Sequence, residues 1–101
     1  MTDIRRDAGG RIAVSGDLLF EDAVAARDVG RELVRAATGP EVRVSLAGLG
    51  RINSAAGVVL VEWSRAARAA GKRLVVEDVP PTLAGNLRLS GLDEVLGVSG
   101  Q

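Results

Sequence analysis

The stretch Leu46-Ala47-Gly48-Leu49-Gly50-Arg51-Ile52-Asn53-Ser54-Ala55-Ala56-Gly57-Val58-Val59-Leu60 decides how this chain folds. Leading into it, Val42, Val44 and Leu46 alternate with Arg43 and Ser45, the period of two that turns one face of a strand to a core. Gly48-Leu49-Gly50-Arg51 then reads as a loop. Asn53 or Ser54 carries the side-chain oxygen that caps a helix, and the spacing predicts that helix from about Ala55 to Ala70, closed by Gly71. The first turn of a helix offers unpaired N–H groups and partial positive charge, which suit a carboxylate or phosphate. The small side chains there also let another backbone approach. The blander reading is a cap followed by close packing, and the sequence alone leaves both open.

Upstream, Asp7-Ala8-Gly9-Gly10 reads as a turn joining strands near Thr2–Arg6 and Arg11–Ser15, with Ile12 and Val14 pointing one way. Gly16-Asp17 is expected to break the second strand. A helix follows from about Glu21 to Ala37, its apolar stripe assigned to Phe20, Val24, Leu33, Val34 and Ala37. Its acidic residues come early and its arginines late, as the helix dipole favours, and Gly39-Pro40 is expected to stop it. Downstream, Leu74-Val75-Val76 is an apolar strand ending at Glu77-Asp78, and Pro80-Pro81 opens a third helix reaching about Leu89. Ser90-Gly91 ends that helix, Leu92–Leu96 makes a last short piece, and Gly97 onward reads as a frayed tail. The order β-β-α-β-α-β-α predicts an α/β fold. It is a small mixed sheet with an antiparallel hairpin at one edge, then parallel strands, covered by helices mainly on one face. With 101 residues and no Pro/Ser-rich linker, one domain is expected.

Composition excludes much chemistry. The chain has no Cys, His or Tyr, so neither a Ser–His–Asp nor a Cys–His nucleophile can be assembled, zinc lacks its usual ligands, and an imidazole pH switch is impossible. Thirteen basic residues balance thirteen acidic ones, so no net field draws the chain to nucleic acid or anionic lipid. The start, Met1-Thr2-Asp3-Ile4-Arg5-Arg6-Asp7, has no apolar segment of the kind a signal peptide needs. The longest apolar run is Val58 to Val61, far short of a membrane span. A cytoplasmic protein without membrane insertion is expected.

The middle helix carries two faces. Ala56, Val59, Leu60, Trp63, Ala66, Ala67 and Ala70 keep helical spacing and suit a core. Opposite them lie Ser54, Val58, Val61, Glu62, Arg65, Arg68 and Lys72. Two valines beside a charged row suggest a partner surface, although scattered exposed valines are also ordinary. Glu77-Asp78 and Asp93-Glu94 read as solvated ends of elements, since adjacent residues point apart and no electrophile or metal cluster accompanies them. Gly48-x-Gly50 lacks the Gly-Lys-Ser/Thr of a phosphate loop and the second half of a dinucleotide fingerprint.

At Leu46-Ala47-Gly48-Leu49 and Ile52-Asn53-Ser54-Ala55-Ala56-Gly57 the chain resembles the STAS domain family, over roughly residues 10–97. Glu62-Trp63-Ser64, Val79-Pro80-Pro81-Thr82-Leu83 and Leu89-Ser90-Gly91-Leu92-Asp93-Glu94-Val95-Leu96 resemble its MlaB-type members. Asn53 stands where the family usually has Asp, Ala56 where it has Gly, and Gly57 where it has Leu; Ser45 takes a strand position that is often Asp. The serine phosphorylated in the anti-sigma factor antagonists of this family corresponds to Ala55, whereas Ser54 matches the hydroxyl kept in MlaB-type members. The resemblance implies a STAS fold and a regulatory or assembly subunit, not an enzyme, with no cofactor and no metal. Such a subunit binds the ATPase of an Mla-type phospholipid ABC transporter and lies in the cytoplasm, peripheral to the inner membrane through that complex. Asn53, Ser54, Ala55, Val58, Val61, Glu62 and Arg65 are the implied partner-binding residues. The alternative it implies is an anti-sigma factor antagonist, switched by an anti-sigma factor kinase that phosphorylates Ser54.

Overall fold

A computed structural model describes residues 1–89 and 91. The expected short piece at Leu92–Leu96, the acidic pair Asp93-Glu94 and the tail from Gly97 lie outside the described residues. Strands β1 (Thr2–Arg6) and β2 (Ile12–Leu18) lead through a 3-10 turn (Phe20–Asp22) into helix α1 (Ala23–Ala36). Strand β3 (Glu41–Ile52), helix α2 (Ala55–Ala69), strand β4 (Arg73–Glu77) and helix α3 (Pro81–Leu89) follow. The sheet order is β1-β2-β3-β4, with β1 antiparallel to β2 and the other pairs parallel. This is the mixed STAS-like sheet that the sequence predicts.

Two strand boundaries differ from the sequence reading, and both have one cause. Gly16-Asp17 does not end β2, and Gly48-Leu49-Gly50-Arg51 is strand rather than loop. Ala13 pairs with Ser45, Ser15 with Gly48, Gly16 with Leu49 and Leu18 with Ile52, so β3 carries one extra residue at each of two bulges. Each bulge shifts the inward position by one. Leu46, Leu49 and Ile52, three apart, therefore all turn to the core. Gly48 is required by the close approach of β2: a Cβ there would lie 2.7 Å from the Ser15 Cβ.

Helix α1 packs on β1 and β2, α2 packs on β3 and β4, and the two helices pack on each other, so both cover one face of the sheet. Ile12, Val14, Val42, Val44, Leu74 and Val76 point into this layer. From α2 come Ala56, Val59, Leu60, Trp63, Ala66 and Ala67, as their spacing predicts, while Ala70 is exposed at the helix end. On α1 the buried residues are Ala26, Gly30 and Val34. Phe20 and Val24, assigned to the core stripe by sequence, are instead exposed by 66% and 62%. Helix α1 does not need Gly39 to stop it. It ends on Ala37 in extended backbone, and the Lys72 ammonium donates to the carbonyls of Val34, Arg35 and Ala37. Lys72 therefore belongs to the end of α1 rather than to the outer face of α2. Helix α2 closes as expected on Gly71 (φ 73°), with Gly71 N–H donating to Arg68 O at 3.0 Å and Lys72 N–H to Ala67 O at 2.8 Å, the Schellman pattern.

The other face of the sheet is open and charged. Glu77 pairs with Arg43 at 2.6 Å and Arg11 at 3.2 Å, and Glu41 pairs with Arg73 and Arg43. Each exposed pair stabilises by less than about 1 kcal/mol. Glu77 is thus engaged, and the Asp78 carboxylate accepts from Ser45 Oγ at 3.0 Å.

Candidate functional site

The end of β3 delivers the chain to the start of α2. The Asn53 side-chain oxygen accepts from Ala55 N–H at 3.0 Å, and Asn53 O accepts from Ala56 N–H at 3.1 Å. Asn53 therefore makes the turn that starts the helix. Ser54, the next residue, is exposed and its side chain makes no cap hydrogen bond. Ala55 is buried, 2% exposed, so it offers a partner almost no surface.

The remaining residues singled out by sequence come together on the outside of α2. Val58 is 60% exposed, Val61 and Glu62 are half-buried, and Arg65 is exposed. The Glu62 carboxylate uses both oxygens, one on Arg31 of α1 at 2.9 Å and one on Arg65 at 3.4 Å. Ser54, Gly57, Val58, Val61, Glu62 and Arg65 form one wall of a groove of about 640 Å³, and Leu83, Asn86, Leu87 and Leu89 of α3 form the other. The groove is a mainly apolar trough with a hydroxyl and an amide on its lining and charge at its rim. Its α3 wall was not foreseen. Leu83 and Leu87 carry the i,i+4 spacing that could have pointed to it, but nothing local says which helix lies opposite.

Among the described residues, no group of three or more His, Cys, Asp or Glu is placed to hold a metal ion. No helix among them is long and apolar enough to cross a membrane. Gly48 and Gly50, where a phosphate loop was weighed, lie within β3 against β2. The exposed large apolar side chains among the described residues are Met1, Phe20, Val24, Val29, Val58 and Leu89. None belongs to the open sheet face, so apolar contact is offered by the helical layer.

A mixed four-stranded sheet with this helical layer, exposing the opening turn of its middle helix, is the architecture of a STAS-type domain. The model of a family described as "Mlab, STAS domain" matches residues 1–97, and the chain belongs to that family. Among solved structures, a chain of the Acinetobacter MlaFEDB complex in its ATP-bound Vtrans2 conformation is 25% identical. Its TM-score is 0.82, covering 96% of this chain and 99% of that one. The anti-sigma factor antagonist SpoIIAA in its unphosphorylated form is 11% identical with a TM-score of 0.65, over 88% of this chain and 83% of that chain. The phosphorylated form of SpoIIAA, a Bacillus cell fate determinant, is 13% identical with a TM-score of 0.66, over 100% and 93%. At those identities SpoIIAA shares the fold. Among curated proteins no relative matches.

Proposed function

We propose that this chain is a non-catalytic regulatory or assembly subunit that docks on the cytoplasmic ATPase of an Mla-type phospholipid ABC transporter. The docking face is the start of α2 at Asn53 and Ser54, with Ala55 buried beneath it, continued along Val58, Val61, Glu62 and Arg65. In this reading the protein lies in the cytoplasm, peripheral to the inner membrane through its partner. The end-to-end likeness to a chain of a transporter complex carries the reading. The apolar groove beside α2 supports it, because an exposed trough of this kind is a common receiver of a partner's side chains.

The test is co-purification of the ATPase with the wild-type chain and with Ser54→Arg and Val58→Arg. Both positions are exposed, so circular dichroism should show an unaltered fold, while a buried arginine would block docking. The wild type should retain the ATPase and both variants should lose it. Equal recovery with all three rejects this face. A second reading, an anti-sigma factor antagonist, is favoured by the exposed Ser54 hydroxyl at the start of α2. Phosphate there would add about −1.5 to −2 charges beside the helix N-terminus. Intact-mass detection of phosphate on Ser54 after incubation with an anti-sigma factor kinase and ATP would promote that reading over the first.

A further inference from the structure

We infer that the docking surface continues from α2 onto the start of α1, where Phe20 supplies an aromatic anchor flanked by Val24, and that the same partner ATPase covers both parts. This rests on the function proposed above. The placement follows from the strand register and the helix pairing. Leu18 pairs with Ile52, so β2 and β3 release the chain side by side, and Phe20 and Ser54 each follow two residues later. The two helices then run alongside in a fixed register: Trp63 Nε1–H donates to the carbonyls of Ala26 and Arg27, and Arg31 bridges to Glu62 at 2.9 Å. Val24 stands seven residues before Arg31, two turns back on the same stripe, and Val58 stands one turn before Glu62. The bridge therefore sets the Val24 stripe beside the Val58 stripe, with Phe20 at the open end of both.

Size and composition say what covers this patch. A stable interface takes about 800 Å² and roughly 20–30 residues from each partner, whereas ten of the described residues line the groove beside α2. A complex seated on Val58 must extend further, and among the described residues outside the groove Phe20 and Val24 continue the exposed apolar surface on the α1 side. Phe20 is one of two aromatic residues in the chain, and the other, Trp63, is buried. An aromatic side chain left 66% exposed, at the end of the stripes that carry Val24 and Val58, fits the hot-spot pattern of a protein interface. Val29, on the β1 side of α1, lines a separate cleft with Met1 and Ile4 and falls outside this surface.

The test measures affinity of the full chain for the purified ATPase, by calorimetry, for the wild type and for Phe20→Ser, Val24→Arg, Val58→Arg and Val29→Ser. Circular dichroism and sedimentation are run on each free chain. Phe20→Ser and Val24→Arg should each weaken binding by about tenfold or more, as Val58→Arg does, while Val29→Ser leaves it unchanged. Wild-type affinity in both Phe20→Ser and Val24→Arg, with Val58→Arg still disruptive, overturns the extension and leaves the proposed function standing. Loss of a self-associated form in those two variants with ATPase affinity intact would make a second copy the occupant, and also overturns it. A wild-type chain that binds no ATPase overturns both.

Discussion

Replacing Gly30 by alanine tests how α1 and α2 are joined, and here local and tertiary forces oppose each other. In an open helix interior the change stabilises by about 1 kcal/mol. In this chain a Cβ on Gly30 would fall inside the Trp63 indole, against Cε2, Nε1 and Cζ2. The ring is fully buried, and its N–H is held by Ala26 O and Arg27 O at 3.2 Å each. Neither ring nor helix can shift without loosening those bonds. Carbon atoms rest about 3.5–4.0 Å apart, so the helices must separate by roughly 1–2 Å. Overpacking of this kind costs about 1–3 kcal/mol, and a loosened buried hydrogen bond about 1 kcal/mol more. Set against the helix-propensity gain, the net loss is about 1–3 kcal/mol, and for a domain of this size Tm should fall by about 5–20 °C. Thermal and urea unfolding followed by circular dichroism measures it. In a Trp63→Leu background, where no ring meets the new methyl, the same substitution should cost less than about 0.5 kcal/mol, and the difference is the coupling between the two positions. A Gly30→Ala protein that melts at or above the wild-type temperature refutes this account of the helix pair.

Two further substitutions probe how the ends of the elements are held. Lys72→Met removes the cation that binds three carbonyls at the end of α1, where the helix dipole favours positive charge. It should lower stability by about 1–2 kcal/mol, with Lys72→Arg recovering part; an unchanged urea midpoint for Lys72→Met would show that the contact contributes nothing. Asp78 sits at φ 57°, a left-handed conformation that a β-branched side chain resists. Asp78→Val should therefore cost about 1–2 kcal/mol, whereas Asp78→Asn should stay within about 0.5 kcal/mol, since Asn tolerates that region. Equal midpoints for the two variants would remove backbone conformation as the reason.

The buried stripe of α2 was legible because it is long and regular: Ala56, Val59, Leu60, Trp63, Ala66 and Ala67 keep the helical period and are all buried. The hairpin was legible for the same reason, with Ile12 and Val14 alternating beside a Gly-rich turn. The second half of β3 was not. Its bulges space Leu46, Leu49 and Ile52 three apart, a pattern belonging to neither strand nor helix, and its glycines answer to β2 across the sheet rather than to a turn. Phe20 and Val24 misled differently. Apolar residues leading into a helix were counted toward its buried stripe, but that stripe follows Ala26, Gly30 and Val34, and Gly30 carries no hydrophobic signal of its own.

The sequence by itself determined the class of fold, because alternation, helical spacing and turn residues are local properties that survive without neighbours. It also determined which chemistry is absent, since a chain without Cys or His cannot acquire them by folding. Tertiary structure alone decided the rest: that Lys72 serves α1, that a glycine is required beneath Trp63, that α3 supplies the second wall of the groove and that the only phenylalanine faces outward. Each depends on which distant segments lie side by side, and that pairing is set by packing of the whole layer rather than by the period of any one segment.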